Sequence, residues 1–440
     1  MGKKILAPER KYAVDTLSQY WLKNVEWVYQ LPIFEVVPQT LPNLPPRMQY
    51  IEIPDWAKDV GVDGKLLVPR ESLKSVNETS WNQVDWFSAI FWYLNGSAER
   101  AYEKTHGPIH SNCFRLKSWD PRIWDRAWVN RIALFLRRWV SKIKEIDEEK
   151  LFGPLPIPQI ILTHDVDAVR KTLAIRLKQT AVHLLHSAHN LSEGQGRKSK
   201  QNISKAKRFL FSQGDYWCFD KIMEMEKQYG MRSHFNFYGG PGGAARSFKE
   251  QVFDPAYNVL NPRIKNMLRE LNGGGWKIGL HPAFDSWKEP KKLRLEKEQL
   301  EDSLGCEVEI CRQHWLRFGW EDTWQAQASA GFKLDTTLGF NDRPGFRNGM
   351  ALKFNPWDSQ QRKPMDFSAI PMVLMDSQLF DHKYINDEDH NKIIKHWLDE
   401  VILACGTATI IWHQRVMSPD YGWGSGYQYL LSYIQKHSLA

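Results

Sequence analysis

The chain has 440 residues, a formal net charge of +8, 25% charged and 42% hydrophobic residues. This excludes a disordered or fibrous chain and leaves room for two or three globular domains with full cores. No window reaches the about 18 apolar residues of a membrane span, and Met1-Gly2-Lys3-Lys4-Ile5-Leu6-Ala7-Pro8-Glu9-Arg10 lacks the apolar stretch of a signal peptide, so the cytoplasm is the expected location. Cys113, Cys218, Cys306, Cys311 and Cys405 are unclustered and odd in number, which suits neither a disulfide framework nor a zinc ribbon. The 20 tryptophans are first of all core formers, although aromatic faces also stack on sugars.

The basic excess is local. Between Arg170 and Arg208 ten Lys and Arg face one acid, Glu193, so the remainder is nearly neutral. A nucleic-acid groove draws its charge from several elements, and no nucleic acid is expected as a partner.

In chain order, residues 1–150 read as a smaller α+β N-terminal domain. Pro32, Pro38, Pro42, Pro45, Pro46 and Pro54 punctuate short apolar pieces, as in irregular structure and edge strands. Helical pattern covers 84–94 and 123–136. The proline-rich piece 151–158 reads as a non-helical connector. It feeds Ile160-Ile161-Leu162-Thr163-His164-Asp165-Val166-Asp167, an apolar strand that ends in two carboxylates. A helical stretch to about residue 189 and a polar, basic linker to about 207 follow, forming a basic insertion at about 168–208.

Beyond it, strands and helices alternate. Helices are expected at 217–229, 262–271, 288–304, 323–330 and 392–404, and strands at 233–238, 276–280, 308–311, 332–334, 370–374 and 408–412. Such alternation predicts an α/β fold with a parallel sheet or barrel over 151–440.

Most of these strands end on groups able to bind metal or move protons: Asp165 and Asp167, then His281 with Asp285 four residues on, then Arg312 and His314, and finally His413. In a barrel the carboxyl ends of the strands meet at one mouth, so these residues can converge. One strand-end histidine is weak evidence; four coincidences of the same orientation are stronger. Carboxylates and imidazoles suit a divalent ion, Zn²⁺ first, with an open position for water. A second carboxylate can then take a proton and an imidazolium can give one.

Thr163-His164-Asp165-Val166-Asp167, Ile278-Gly279-Leu280-His281-Pro282, Arg312-Gln313-His314-Trp315-Leu316-Arg317-Phe318, Leu334-Asp335-Thr336-Thr337-Leu338-Gly339-Phe340, Gly345-Phe346-Arg347 and Ile411-Trp412-His413 resemble the ordered motifs of polysaccharide deacetylases. This is the NodB-homology fold, carbohydrate esterase family 4, in the branch with a Thr-His-Asp-Val-Asp first motif. The resemblance spans roughly residues 150 to 415, and 84–140 with Glu99-Arg100 resembles an uncharacterised domain that often precedes it in bacteria.

The resemblance implies a distorted (β/α) barrel and metal-dependent removal of an acetyl group from a glycan. By position, Asp165 matches the catalytic base, Asp167 the metal aspartate, His281 the first metal histidine, Arg312 the arginine orienting the base, and His413 the general acid. Two departures stand out. Val166 separates two aspartates that are usually adjacent, and Asp285 stands where the second metal histidine usually lies. Either Asp285 ligates or His314 completes the metal set; His314 is preferred because it keeps an imidazole. The expected substrate is an acetylated glycan or a lipid-linked sugar.

Other readings fit less of the chain. Asp165-Val166-Asp167 also resembles a haloacid-dehalogenase phosphatase motif or a glycosyltransferase Asp-x-Asp, but either leaves the later histidines idle. A catalytically inactive sugar-binding or scaffolding protein on the same fold is the alternative from another class. His183, His186 and His189 fall at helical spacing, where a plain amphipathic helix is the simpler explanation. Leu173, Ile175, Leu177, Val182, Leu184 and Leu185 beside Arg170, Lys171, Arg176 and Lys178 make peripheral contact with an anionic membrane a possibility, against packing on the barrel. Trp315, Trp320, Trp357 and Trp423 are each candidates for a sugar-site floor or for core, and Asp335 and Arg347 for shaping the pocket.

Overall fold

The computed structural model describes residues 7–33, 35, 45–75, 80–240, 246–381 and 386–440; residues 1–6, Pro38 and Pro42 lie outside them. Near the amino terminus, β1 (Met48–Glu52) and β2 (Lys65–Pro69) pair antiparallel. Eight parallel strands follow: β3 (Gln159–Val166), β4 (His234–Phe237), β5 (Lys277–Leu280), β6 (Ile310–Cys311), β7 (Leu334–Asp335), β10 (Ser368–Ala369), β11 (Met372–Met375) and β12 (Thr407–Ile411). A short antiparallel pair, β8 (Trp357–Asp358) and β9 (Lys363–Pro364), lies between β7 and β10.

The spatial order is β10-β7-β6-β5-β4-β3-β12-β11. β10 and β11 therefore occupy opposite edges although only Ile370 and Pro371 separate them in sequence. The sheet has to curl for two residues to bridge its edges. The Ile370 amide donates to Asp335 O at 2.9 Å, while Pro371 O accepts from Thr409 N at 2.9 Å. The result is a distorted (β/α) barrel of class α/β. Its strands are buried on both faces, β4 and β11 along their whole length, because side chains fill the interior and helices cover the outside.

Most expected elements are present with shifted ends. The helix Pro262–Gly273 starts where Asn261 caps Arg263 N at 2.9 Å and Pro262 supplies a preset φ, and Pro290 opens Pro290–Leu304 in the same way. Two expectations need correction. Leu151 and Phe152 finish a helix, Glu148–Phe152, because Asp147 caps it and the prolines begin only at Pro154. The supposed linker is the helix Gly196–Phe211, whose Lys, Gln, Arg and Ala residues favour helix and whose Ser199, Asn202, Ala206 and Phe209 are buried.

One hydrophobic cluster runs from Tyr12 and Trp128 into the barrel. Polar ties join the same parts: Arg131 forks onto Glu400 with two 2.7 Å bonds, and Arg347 reaches Glu99 at 2.8 Å.

Candidate metal centre

β3 carries the first acids. Residues two apart in a strand share a side, so Asp165 and Asp167 both turn toward the mouth, while Val166 between them is fully buried in the core. The one-residue spacing thus delivers two carboxylates to one place.

Asp167 meets two imidazoles there. His281, just beyond β5, has Nε2 3.3 Å from Asp167 Oδ1, and His314, after β6, has Nδ1 3.6 Å from the same oxygen. The two ring nitrogens are 2.8 Å apart. His281 Nδ1 donates to Arg312 O at 2.7 Å and His314 Nε2 to Phe253 O at 2.8 Å. In the neutral tautomers that these carbonyls select, both inward nitrogens present lone pairs. Asp167 Oδ1 is itself buried without a well-directed hydrogen bond. Three ligand atoms therefore converge on one point, an arrangement able to hold a cation. Ligand bonds of about 2.0–2.2 Å place the ligand atoms of a tetrahedral Zn²⁺ about 3.3 Å apart, close to these separations. Among the described residues this trio is the metal-capable group.

The surrounding charges act on the same three groups. Burial alone would raise the Asp167 carboxyl, but Arg415, His281, His413 and His314 outweigh it and hold the pKa well below the usual carboxylate range. Burial would lower His281, yet Asp165 and Asp167 raise it, whereas burial and the neighbouring His281 push His314 down to about 4. His314 is set by an unusual backbone: Trp315 and Leu316 have φ of 56° and 46°, and Ser111 Oγ and Asn341 Nδ2 hold the Trp315 carbonyl at 2.9 and 2.7 Å.

Asp165 is buried and accepts from Asn236 Nδ2 at 2.8 Å. Gly279 on β5 is what admits that amide, since a Cβ there would collide with it. Arg312 does not fork onto Asp165. Its Nε donates to Thr336 Oγ1 at 2.9 Å and its Nη2 to Thr163 Oγ1 at 3.1 Å, and it acts on Asp165 through its charge. Burial raises Asp165, but His281, Arg312 and His413 bring its pKa below the ordinary value.

His413 completes the mouth, with Nε2 3.5 Å from Asp167 Oδ2. Its Nδ1 lies 2.8 Å from Oδ1 of Asp376, a carboxylate with no exposed surface. Burial lowers the His413 pKa, but Asp376 more than offsets this and raises it. Asp376 escaped the sequence reading, although it directly follows β11 and so obeys the same strand-end logic. Arg415, which pairs with Asp167 Oδ2, and Asn236 escaped it too; an arginine four residues past the end of β12 and an asparagine within a strand carry no distinctive signal.

Other candidates fall elsewhere. Asp285 pairs with Lys249 and with Arg317 at 2.9 Å, away from the trio. Asp335 is buried and bound to Trp324, Gln327 and Thr337, a packing role. Trp320 and Trp357 are core, whereas Trp315 and Trp423 line the cavity over the site. That cavity is about 1040 Å³ and is roofed by Leu173–Ser192 and Gly196–Phe211, with His183 and His186 on its wall.

No protein-family model matches the chain, and no curated protein matches it. Among solved structures it is similar to a putative polysaccharide deacetylase from Mycobacterium smegmatis, at 14% identity over 64% of this chain and 84% of that one, TM-score 0.38. It is also similar to the polysaccharide deacetylase Bc1974 of Bacillus cereus, at 8% identity over 64% and 89%, TM-score 0.31. A family-4 pseudoenzyme from Bacillus anthracis is matched at 10% identity over 67% and 68%, TM-score 0.28.

Proposed function

We propose that the chain is a metal-dependent deacetylase acting on an N-acetylated sugar of a polysaccharide or glycan precursor, in the branch marked by Thr163-His164-Asp165-Val166-Asp167. The observation that carries this reading is the convergence of Asp167 Oδ1, His281 Nε2 and His314 Nδ1, with the other nitrogen of each ring taken by a backbone carbonyl. Bound there, a Zn²⁺-type ion supplies Lewis acidity toward an acetyl carbonyl and a water.

The remaining steps belong to the chain. Asp165, kept ionised by its cationic neighbours, takes a proton from water in the cavity. Asn236 positions Asp165 by its hydrogen bond, and Arg312 acts on it through its charge. His413, kept protonated by Asp376, gives a proton to the departing sugar nitrogen. A depressed acid and an elevated imidazole at one mouth are the split that such a reaction requires.

In the proposed organisation residues 1–150 form an N-terminal domain against the 151–440 barrel, and the enzyme works in the bacterial cytoplasm. No helix among the described residues is long and apolar enough to cross a membrane. One observation favours a second reading. The Arg415 guanidinium already neutralises Asp167 Oδ2, as in a sugar-binding protein on a decayed site. Metal analysis of the purified chain together with acetate release from acetylated oligosaccharides separates the two. Stoichiometric metal with acetate release is expected; neither metal nor acetate would leave the binding protein.

A further inference from the structure

The hairpin that roofs the cavity is packed the wrong way round for an element facing water. Leu173–Ser192 and Gly196–Phe211 meet through small and polar groups. Ser187 Oγ lies 2.8 Å from Ser199 Oγ, and Arg176 Nη1 donates to Leu210 O at 3.0 Å. A second face of the first helix turns Ile175, Lys178, Gln179 and Val182 to the cavity. The third face carries Leu173, Leu177, Leu184 and Leu191, which recur at helical spacing and are 69%, 56%, 50% and 65% exposed. A helix on a soluble protein turns such a stripe toward its core; here the stripe is left outside.

Two further features give the face its chemistry. Across the cavity rim Phe248 is 83% exposed, with Val252 exposed beside it. The hairpin is also basic: Arg170 before it and Arg197, Lys200, Lys207 and Arg208 on its second helix are exposed, and Glu193 is the sole acid from 170 to 208. Exposed leucines and exposed bases on one hairpin complement an anionic bilayer, where the leucines leave water and the bases meet headgroups.

We propose that the outer face of this hairpin, with Phe248 and Val252 across the cavity mouth, docks on an anionic lipid surface. The mouth of the metal centre then opens at headgroup level, and a sugar carried by a membrane lipid reaches it without leaving the bilayer. Docking itself does not rest on the deacetylase reading.

The test is co-sedimentation of the full chain with vesicles of phosphatidylcholine alone or mixed with phosphatidylglycerol. Binding to the mixed vesicles only, weakened by salt, is expected. The double variant Leu177→Ser, Leu184→Ser and the triple variant Arg197→Gln, Lys200→Gln, Lys207→Gln should each lower partitioning by about a hundredfold with an unchanged melting temperature. Absence of vesicle binding, or variants that sediment like the wild type, overturns the proposal. A dimer in light scattering that the leucine variant dissolves, without vesicle binding, overturns it in favour of a second copy. Metal content and acetate release from a short soluble sugar report on the metal centre separately, so the two readings fail independently.

Discussion

His164 and His413 invite comparison. They sit near the ends of the adjacent strands β3 and β12, and each has a buried carboxylate partner, Glu226 and Asp376. His164 spends both nitrogens inside the protein, Nδ1 on Trp412 O at 2.5 Å and Nε2 on Glu226 at 2.9 Å. Glu226 in turn accepts from Trp276 Nε1, Tyr427 OH and Ser233 N, so the group ties β3, β4, β5 and the last helix together. His413 commits one nitrogen to Asp376 and turns the other toward Asp167 and the cavity. The chemistry of a histidine–carboxylate pair is the same in both places. What the second nitrogen faces decides whether the pair builds the fold or serves the site.

The contrast can be tested from the strongest expected effect downward. Asp167→Ala removes the oxygen shared by both ligand histidines, so metal and acetate release should vanish together while circular dichroism stays native; full metal occupancy would sink the ligand assignment. Glu226→Ala strands four buried donors and should cost about 3–5 kcal/mol in urea unfolding, with metal content per folded chain unchanged. If that variant lost metal but kept its stability, the division between the two pairs would collapse.

Asp376→Asn should lower kcat about 100-fold and move the basic limb of the pH–rate profile to lower pH, because His413 loses the charge that holds its proton. An unshifted limb would remove His413 from the proton-donating role.

The smallest effect concerns acid stability. Burial raises the Glu226 pKa, but the hydrogen bond from His164 and those from Tyr427 and Trp276 bring it below the ordinary value. A depressed carboxyl contributes stability above its unfolded value of about 4.5 and loses it as pH falls through the folded value. Glu226→Gln should therefore flatten the loss of stability below about pH 4.5, measured by denaturant titration across pH. A slope equal to that of the wild type would show that Glu226 titrates no differently in the fold.

The strand tips were legible because a continuous apolar run that stops at Asp, His or Arg has a local signature, as at Leu162-Thr163-His164-Asp165 and Ile411-Trp412-His413. Asp376 has the same signature, since it directly follows β11, which overlaps the strand expected at 370–374. The basic helix Gly196–Phe211 reads as linker because three of its four buried contacts, Ser199, Asn202 and Ala206, are small or polar and only Phe209 is a large apolar one. Asn236 and Arg415 had no signal at all, since an amide in a strand and a guanidinium in a short helical turn gain meaning only from what they touch.

The sequence by itself determined the alternation of strands and helices, the two acids on one side of β3 and the identities of the strand-end groups, because periodicity and residue chemistry are local properties. Only the tertiary structure decided that His314 rather than Asp285 stands with Asp167 and His281, that Asp376 backs His413, and that His164 belongs to the core. Those outcomes depend on how far the sheet curls before β10 and β11 meet, and that closure is set by long-range packing that no short stretch encodes.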